Sequence, residues 1–288
     1  GIEYGHMQLI SEAYSLLKNR KGLDNDAMAV VFDEWNGGEL DSFLIEITAN
    51  ILRFRDEDGK PLLDKILDVA GQKGTGKWSA IAAMDENDPL TLITEAVYAR
   101  LLSALYSERV KAARLYSGKL KVESGKLSDN AQLSIEDVRQ ALYAAKLISY
   151  AQGFSLLRHA SEHYGWDLDY GTIARIWRKG CIIRSVFLQK ITDAYRKDPD
   201  LENLLFDDFF RSKIQAALPA WRRIVAEGAL SGVALPAMSS ALSYFDGLRT
   251  LHSAANMIQA QRDYFGAHTY ERTDRERGHF FHTNWTGE

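Results

Sequence analysis

Apolar residues recur every three or four positions along most of the chain, so nearly every segment reads as helix. No run alternates with period two between hairpin turns, the mark of a half-buried strand. The fold class expected is therefore all-α. The first helix is predicted over residues 2–19, with Met7, Ile10, Tyr14 and Leu17 as its apolar stripe. Glu3 falls on that stripe one turn before Met7. Either it is an end residue whose carboxylate reaches out to water, or it is a carboxyl held in a cleft, as a general acid would be. Further helices are predicted over 25–34, over 40–54 with Phe43, Leu44, Ile47 and Ile51 inward, and over 61–70. A short apolar segment spans 78–84. Asp88-Pro89 supplies a cap and a first-turn proline for a long helix to residue 116. Ile93, Val97 and Ala104 share a stripe with Arg100. A permanently charged arginine there either packs its stem and wets its head, or needs an anionic partner.

The stretch 117–130 is small, polar and lysine-rich, a linker by composition. Ser134-Ile135-Glu136-Asp137 resembles a capping box and opens a helix running to residue 164. Helices follow over 172–179, closed by Gly180, over 182–195, over 209–226 with a kink at Pro219, and over 236–264. The two halves echo each other. Trp35-Asn36-Gly37-Gly38 and Trp177-Arg178-Lys179-Gly180 each end a short helix, and each leads to an apolar helix ending Ile47-Thr48 or Ile191-Thr192. Met7-Gln8-Leu9-Ile10 and Phe154-Ser155-Leu156-Leu157 stand upstream in similar places. A duplicated multi-helix domain over 1–268 is expected, its repeats at about 1–116 and 134–250. The tail, 269–288, is dense in charge and aromatics and cannot form a core alone; Phe280, Phe281 and Trp285 would anchor it on its own body or on a partner.

The segment Gly71-Gln72-Lys73-Gly74-Thr75-Gly76-Lys77-Trp78 holds three glycines, two lysines and a threonine. Glycines let backbone N–H groups turn toward an anion, and lysines add charge. The spacing nearly matches a P-loop but places Trp78 where a magnesium-binding hydroxyl belongs, and no buried strand is predicted before it. What remains is a surface turn or a phosphate site for a small substrate. Composition narrows the partners. Net charge is −4 and the isoelectric point about 6.0, so no basic field marks nucleic acid or anionic membrane. Cys181, the one cysteine in 288 residues, excludes an internal disulfide and fits a reducing compartment, so a cytoplasmic setting is expected. His268, His279 and His282 lie in the charged tail region without a cysteine nearby and do not make a metal site.

Several long motifs are shared with a known family. They include Gly1-Ile2-Glu3-Tyr4-Gly5, Trp35-Asn36-Gly37-Gly38-Glu39-Leu40, the glycine loop, Glu95-Ala96-Val97-Tyr98-Ala99-Arg100 and Tyr150-Ala151-Gln152-Gly153-Phe154. Arg262-Asp263-Tyr264-Phe265-Gly266-Ala267-His268 and His282-Thr283-Asn284-Trp285-Thr286-Gly287 complete the set. On these the chain resembles the C-terminal, all-helical domain of the 6-phosphogluconate dehydrogenase family. The resemblance implies oxidation of 6-phosphogluconate by NADP and its decarboxylation to ribulose 5-phosphate, without a metal. It implies a homodimer whose tail reaches into the other subunit. Glu3 corresponds to the general acid that protonates the enediol after CO₂ leaves. Tyr4, Lys73 and Arg100 correspond to ligands of the substrate, largely its phosphate, with Thr75 near it; Arg262 and His268 correspond to the second subunit's contribution.

The departures are specific. His6 stands where the family commonly has aspartate. The family's N-terminal dinucleotide-binding Rossmann domain is not among these 288 residues, nor are the lysine and the His-Asn pair that precede the Gly-Ile-Glu-Tyr-Gly motif. The expectation is a chain incomplete on its own and inactive in isolation. The alternative is a non-catalytic helical dimerisation module of the same fold.

Overall fold

A computed structural model describes residues 1–116 and 133–287; the linker expected at 117–130 lies outside them. The helices are α1 (Ile2–Asn19), α2 (Asn25–Asn36), α3 (Phe43–Arg53), α4 (Thr75–Asp85), α5 (Thr91–Ala104), α6 (Tyr106–Tyr116), α7 (Ile135–Tyr164), α8 (Tyr170–Ile176), α9 (Leu188–Lys197), α10 (Asp208–Ser231), α11 (Pro236–Leu248) and α12 (Ala255–Gly266). Two strands of two residues, β1 (Tyr270–Glu271) and β2 (Phe280–Phe281), pair antiparallel. The chain divides into two compact units, Gly1–Tyr244 and Phe245–Glu288.

The first unit is built on α7. Its N-terminus carries the capping box, with Ser134 Oγ accepting from Asp137 N and Asp137 Oδ2 accepting from Ser134 N. Every residue from 141 to 152 is buried, so the middle of α7 is enclosed all round by α1, α10 and α5. The helix pairs α2–α3 and α8–α9 each pack internally. Ser42 and Ser185, just ahead of α3 and α9, form an antiparallel bridge: Phe43 N donates to Arg184 O and Val186 N donates to Asp41 O. Thr48 and Thr192 each bond back to the carbonyl four residues earlier, Leu44 and Leu188. These are the positions paired by the sequence echo.

Several element boundaries differ from the sequence reading. Residues 61–70 form one 3-10 turn (Leu62–Lys65) and then run irregularly. Their charged side chains are committed elsewhere: Asp64 to Lys18 (2.8 Å), Lys65 to Asp56 and Asp58 (2.6 Å each), Asp68 to Arg109 (2.8 Å). The helix expected from Asp88 starts at Thr91. Asp88 is instead buried and accepts from Ser155 Oγ (2.6 Å) and His159 Nδ1 (2.7 Å). Gln152 takes over at the start of α5, its Oε1 accepting from Leu92 N. The long helix then breaks at Leu105, and the last one at 249–254, where Thr250 and Ser253 bond to local backbone groups. Residues 182–187 are not helical, because the bridge to Asp41 and Phe43 claims their backbone. α10 runs on through Pro219.

The buried face of α1 is also turned from the predicted stripe. Ile2, Gly5, Leu9, Ala13, Leu16 and Leu17 face the core, while Met7, Ile10 and Tyr14 line an open groove. On α3, Leu44, Ile45, Ala49 and Leu52 are inward and Ile51 is exposed.

Candidate functional site

α1 and α5 pack together, and the start of α4 closes over them. Tyr4 on α1 is 3 % exposed and packs with Ala96 and Val97 of α5. One turn beyond those residues, Arg100 lays its guanidinium on the Tyr4 ring, Cζ 3.7 Å from the centroid. The ring also meets the glycine loop. A Cβ added at Gly76 would lie 2.2 Å from Tyr4 Cδ1 and 2.4 Å from Cε1. Gly74, the residue before α4, has φ +99°, in the left-handed region that favours glycine. Arg100 reaches back to the loop as well: Nη1 donates to Gly71 O (3.2 Å), and Nη2 donates to Met7 Sδ (3.2 Å). Tyr4, Arg100 and the glycine loop thus form one constellation, fixed by stacking and by a backbone carbonyl.

That constellation presents donors, and among the described residues the partners drawn to the Arg100 guanidinium are a ring, a carbonyl and a thioether. The Lys73 side chain is exposed on the loop, and Thr75 begins α4 with its carbonyl accepting from Ser79 Oγ (3.2 Å). A guanidinium held flat, an exposed ammonium and the backbone N–H groups of a glycine-rich loop can together bind a phosphate by charge-assisted hydrogen bonds. Glu3, next to Tyr4, faces elsewhere: it lines a cavity of about 530 Å³ with Ser79, Ile93, Trp177, Cys181 and Ile183. Its carboxyl group stands at the wall of that mostly apolar cavity, within reach of a molecule bound there.

Arg262 and His268 belong to the second unit. Arg262 is exposed on α12 and donates to Gln259 Oε1 (2.9 Å); His268, just beyond the helix, is edge-on to Phe265. The tail is held by Asp263, which is wholly buried and escaped the sequence reading. Its carboxylate accepts from Thr269 N (3.1 Å), Thr283 N (3.0 Å), His282 Nδ1 (2.9 Å) and Trp285 Nε1 (2.8 Å). His282 is thereby engaged by a carboxylate, and among the described residues no cluster of three His, Cys, Asp or Glu side chains could hold a metal ion.

Other buried polar groups could not be found from spacing alone. Glu12, on the buried face of α1, accepts from Ala237 N (2.8 Å), Met238 N (2.9 Å) and Gln8 Nε2 (3.0 Å), capping the N-terminus of α11. Burial raises its pKa to about 7. His6 is buried beside Tyr150, its Nε2 without a partner among the described residues. Burial, then the charge of Lys146, hold its pKa well below the usual imidazole value. Lys146 is buried too, its Nζ 3.3 Å from Ser185 Oγ, and burial lowers its pKa to about 7. A basic residue at position 6 therefore leaves two basic groups facing each other inside the protein.

A family model, 6-phosphogluconate dehydrogenase, C-terminal domain, matches residues 1–285. The chain belongs to that family. The decarboxylating 6-phosphogluconate dehydrogenase of Rattus norvegicus is 58 % identical over 287 residues, covering 100 % of this chain and 59 % of the relative. The Homo sapiens enzyme of the same description is 56 % identical over the same shares. A solved structure of Plasmodium falciparum 6-phosphogluconate dehydrogenase, described as apo, with NADP⁺ and with its substrate 6-phosphogluconate, superposes with TM-score 0.93. It is 44 % identical, and the match covers 99 % of this chain and 60 % of that one. The chain thus spans about three fifths of the length of these relatives.

Proposed function

We propose that this chain is the substrate-binding helical part of an NADP-dependent, decarboxylating 6-phosphogluconate dehydrogenase. The observation that carries the reading is the joining of Tyr4, Arg100 and the Gly71–Trp78 loop through one guanidinium, beside a cavity walled by Glu3. In this reading the phosphate of 6-phosphogluconate lies against Arg100, Tyr4 and Lys73, with Thr75 near it, and the sugar carbons extend toward Glu3. After CO₂ departs, the Glu3 carboxyl gives its proton to the enediol carbon and leaves a carboxylate, which water can reprotonate. In this reading NADP is bound mainly outside these residues. The cavity beside Glu3 has no basic side chain to meet a pyrophosphate, and no strand-to-helix glycine turn lies among the described residues. NADP, which accepts the hydride when bound, falls in this reading to the part of the relatives outside the match.

The same reading makes the protein a homodimer, Arg262 and His268 completing the site of the other copy. In its support, Met257, Ile258, Tyr264, Phe265 and Phe280 of the second unit are exposed, apolar side chains that a partner subunit could cover. The first unit in turn has apolar grooves beside α1 and α5. No helix among the described residues is long and apolar enough to cross a membrane, and the single cysteine supports a cytoplasmic setting.

The test joins the chain to the dinucleotide-binding part of the rat relative. The fusion should reduce NADP on addition of 6-phosphogluconate and release CO₂. Glu3→Gln in the fusion should keep substrate affinity and lose turnover by about 10²–10⁴-fold. A folded fusion that binds NADP and reduces none would refute the reading.

A further inference from the structure

We infer that Met7 is an oxidation site that controls the Arg100 anion site; the inference rests on the reading of Arg100 as a phosphate ligand. Arg100 has three fixed contacts: the Tyr4 ring, Gly71 O and Met7 Sδ. Two of them use hard or aromatic partners. The third is a thioether, a weak acceptor. A phosphate dianion can therefore take Nη2 from Met7 at little cost, which keeps that edge of the guanidinium available. Met7 is 42 % exposed on the rim of a groove of about 620 Å³ that Arg100 also lines. The chain's other methionines lack this combination. Met28 and Met238 are wholly buried and Met84 and Met257 are exposed, and among the described residues the methionine sulfur bonded to Arg100 is that of Met7.

Hydrogen peroxide or another peroxide would convert Met7 to its sulfoxide. The sulfur lone pair forms an S–O bond as the peroxide O–O bond breaks. Methionine loses two electrons; one peroxide oxygen ends on sulfur and the other leaves as water, or as an alcohol from an organic peroxide. The sulfoxide oxygen is a strong acceptor placed against Nη2, so it competes with the phosphate for the donor it faces. Methionine sulfoxide reductase, supplied with a dithiol that is oxidised to its disulfide, restores the thioether and releases the oxygen as water, so the change is reversible.

The experiment measures 6-phosphogluconate binding by calorimetry with the 288-residue protein and its Met7→Leu variant, each before and after hydrogen peroxide. Peptide mass spectrometry reports the occupancy of Met7 sulfoxide. Peroxide should weaken binding by wild type about three- to tenfold, with recovery after the reductase, and leave the variant's affinity as it was before treatment. Unchanged binding by fully oxidised wild type would overturn the inference; so would an equal loss in Met7→Leu, which would move the lesion to Cys181 or another methionine. The Arg100 Nε–Hε resonance, assigned with Arg100→Lys, is recorded on the same samples. If untreated protein does not bind 6-phosphogluconate, the phosphate reading fails, and the resonance alone decides the Met7 contact. It must shift on oxidation in wild type and stay in place in Met7→Leu; no shift in wild type defeats the inference.

Discussion

The three glycines of the loop should differ sharply in what an alanine costs, although the sequence gives them equal weight. At Gly76 the added Cβ falls 2.2 Å from Tyr4 Cδ1, 2.4 Å from Cε1 and 2.7 Å from Cγ. The ring cannot retreat, because Ala96 and Val97 pack against it and the Arg100 guanidinium covers it. Gly76 lies inside α4, so helix propensity alone would favour alanine by about 1 kcal/mol. Overpacking opposes this with about 1–3 kcal/mol, and a displaced guanidinium stack adds about 1 kcal/mol. The net expectation is a loss of about 2 kcal/mol. Substrate affinity should fall with it, since Arg100 loses the surface that orients it. At Gly74 nothing but the Trp78 ring edge, 4.0 Å away, meets a Cβ; the cost there is the left-handed φ of +99°, about 1–2 kcal/mol. Gly71 has open space around it, and its φ is not in the left-handed region, so Gly71→Ala should be neutral or stabilising by up to about 1 kcal/mol. Urea unfolding of the three variants, with 6-phosphogluconate titrations of each, makes the comparison. Gly76→Ala at wild-type stability, or Gly71→Ala as damaged as Gly76→Ala, would refute the packing argument.

Glu12 sets a pH dependence. Its pKa is about 7 folded, above the ordinary carboxyl value of 4.5, so its contribution to stability is fully present below 4.5 and is lost as pH rises through 7. Wild type should lose about 3 kcal/mol more than Glu12→Gln across that window in urea titrations at successive pH values; parallel curves would remove Glu12 as the cause. Asp263→Ala should release the tail, seen as rapid proteolysis after residue 268 and a shifted Trp285 indole resonance, while α1–α10 keep their amide protection; an intact, protected tail would contradict the four bonds drawn to Asp263. Arg100→Ala and Arg262→Ala chains, each weak in binding 6-phosphogluconate, should on refolding together recover about a quarter of the tight sites, as a symmetric dimer with shared sites requires. No recovery, with mixed dimers shown to form, would return Arg262 to its own chain's site.

Local pattern was enough to specify the helical class and the helices whose ends carry local signals. α7 starts at its Ser134 capping box, and the Asn25 helix starts where Asp24 accepts from Ala27 N. These signals are legible because capping is a contact between residues three apart. The likeness around Trp35 and Trp177 is local in the same sense, a matter of residues a few positions apart. The family motifs named Glu3, Tyr4, Lys73, Arg100, Arg262 and His268, and helical spacing put Arg100 on a stripe with Ile93 and Val97. Long-range contacts decided the rest. Asp88 left its cap to bond Ser155 and His159, residues 67 and 71 positions away, and the helix start moved with it. Residues 61–70 have helical spacing, yet their charged side chains are held by Lys18, Asp56, Asp58 and Arg109, so the backbone follows those partners. Glycine at 76 reads as loop flexibility in the sequence and is a clearance for the Tyr4 ring in the fold. Buried groups such as Glu12 and Asp263 were invisible for one physical reason: a charge is buried only where distant backbone donors converge on it, and convergence is a property of packing.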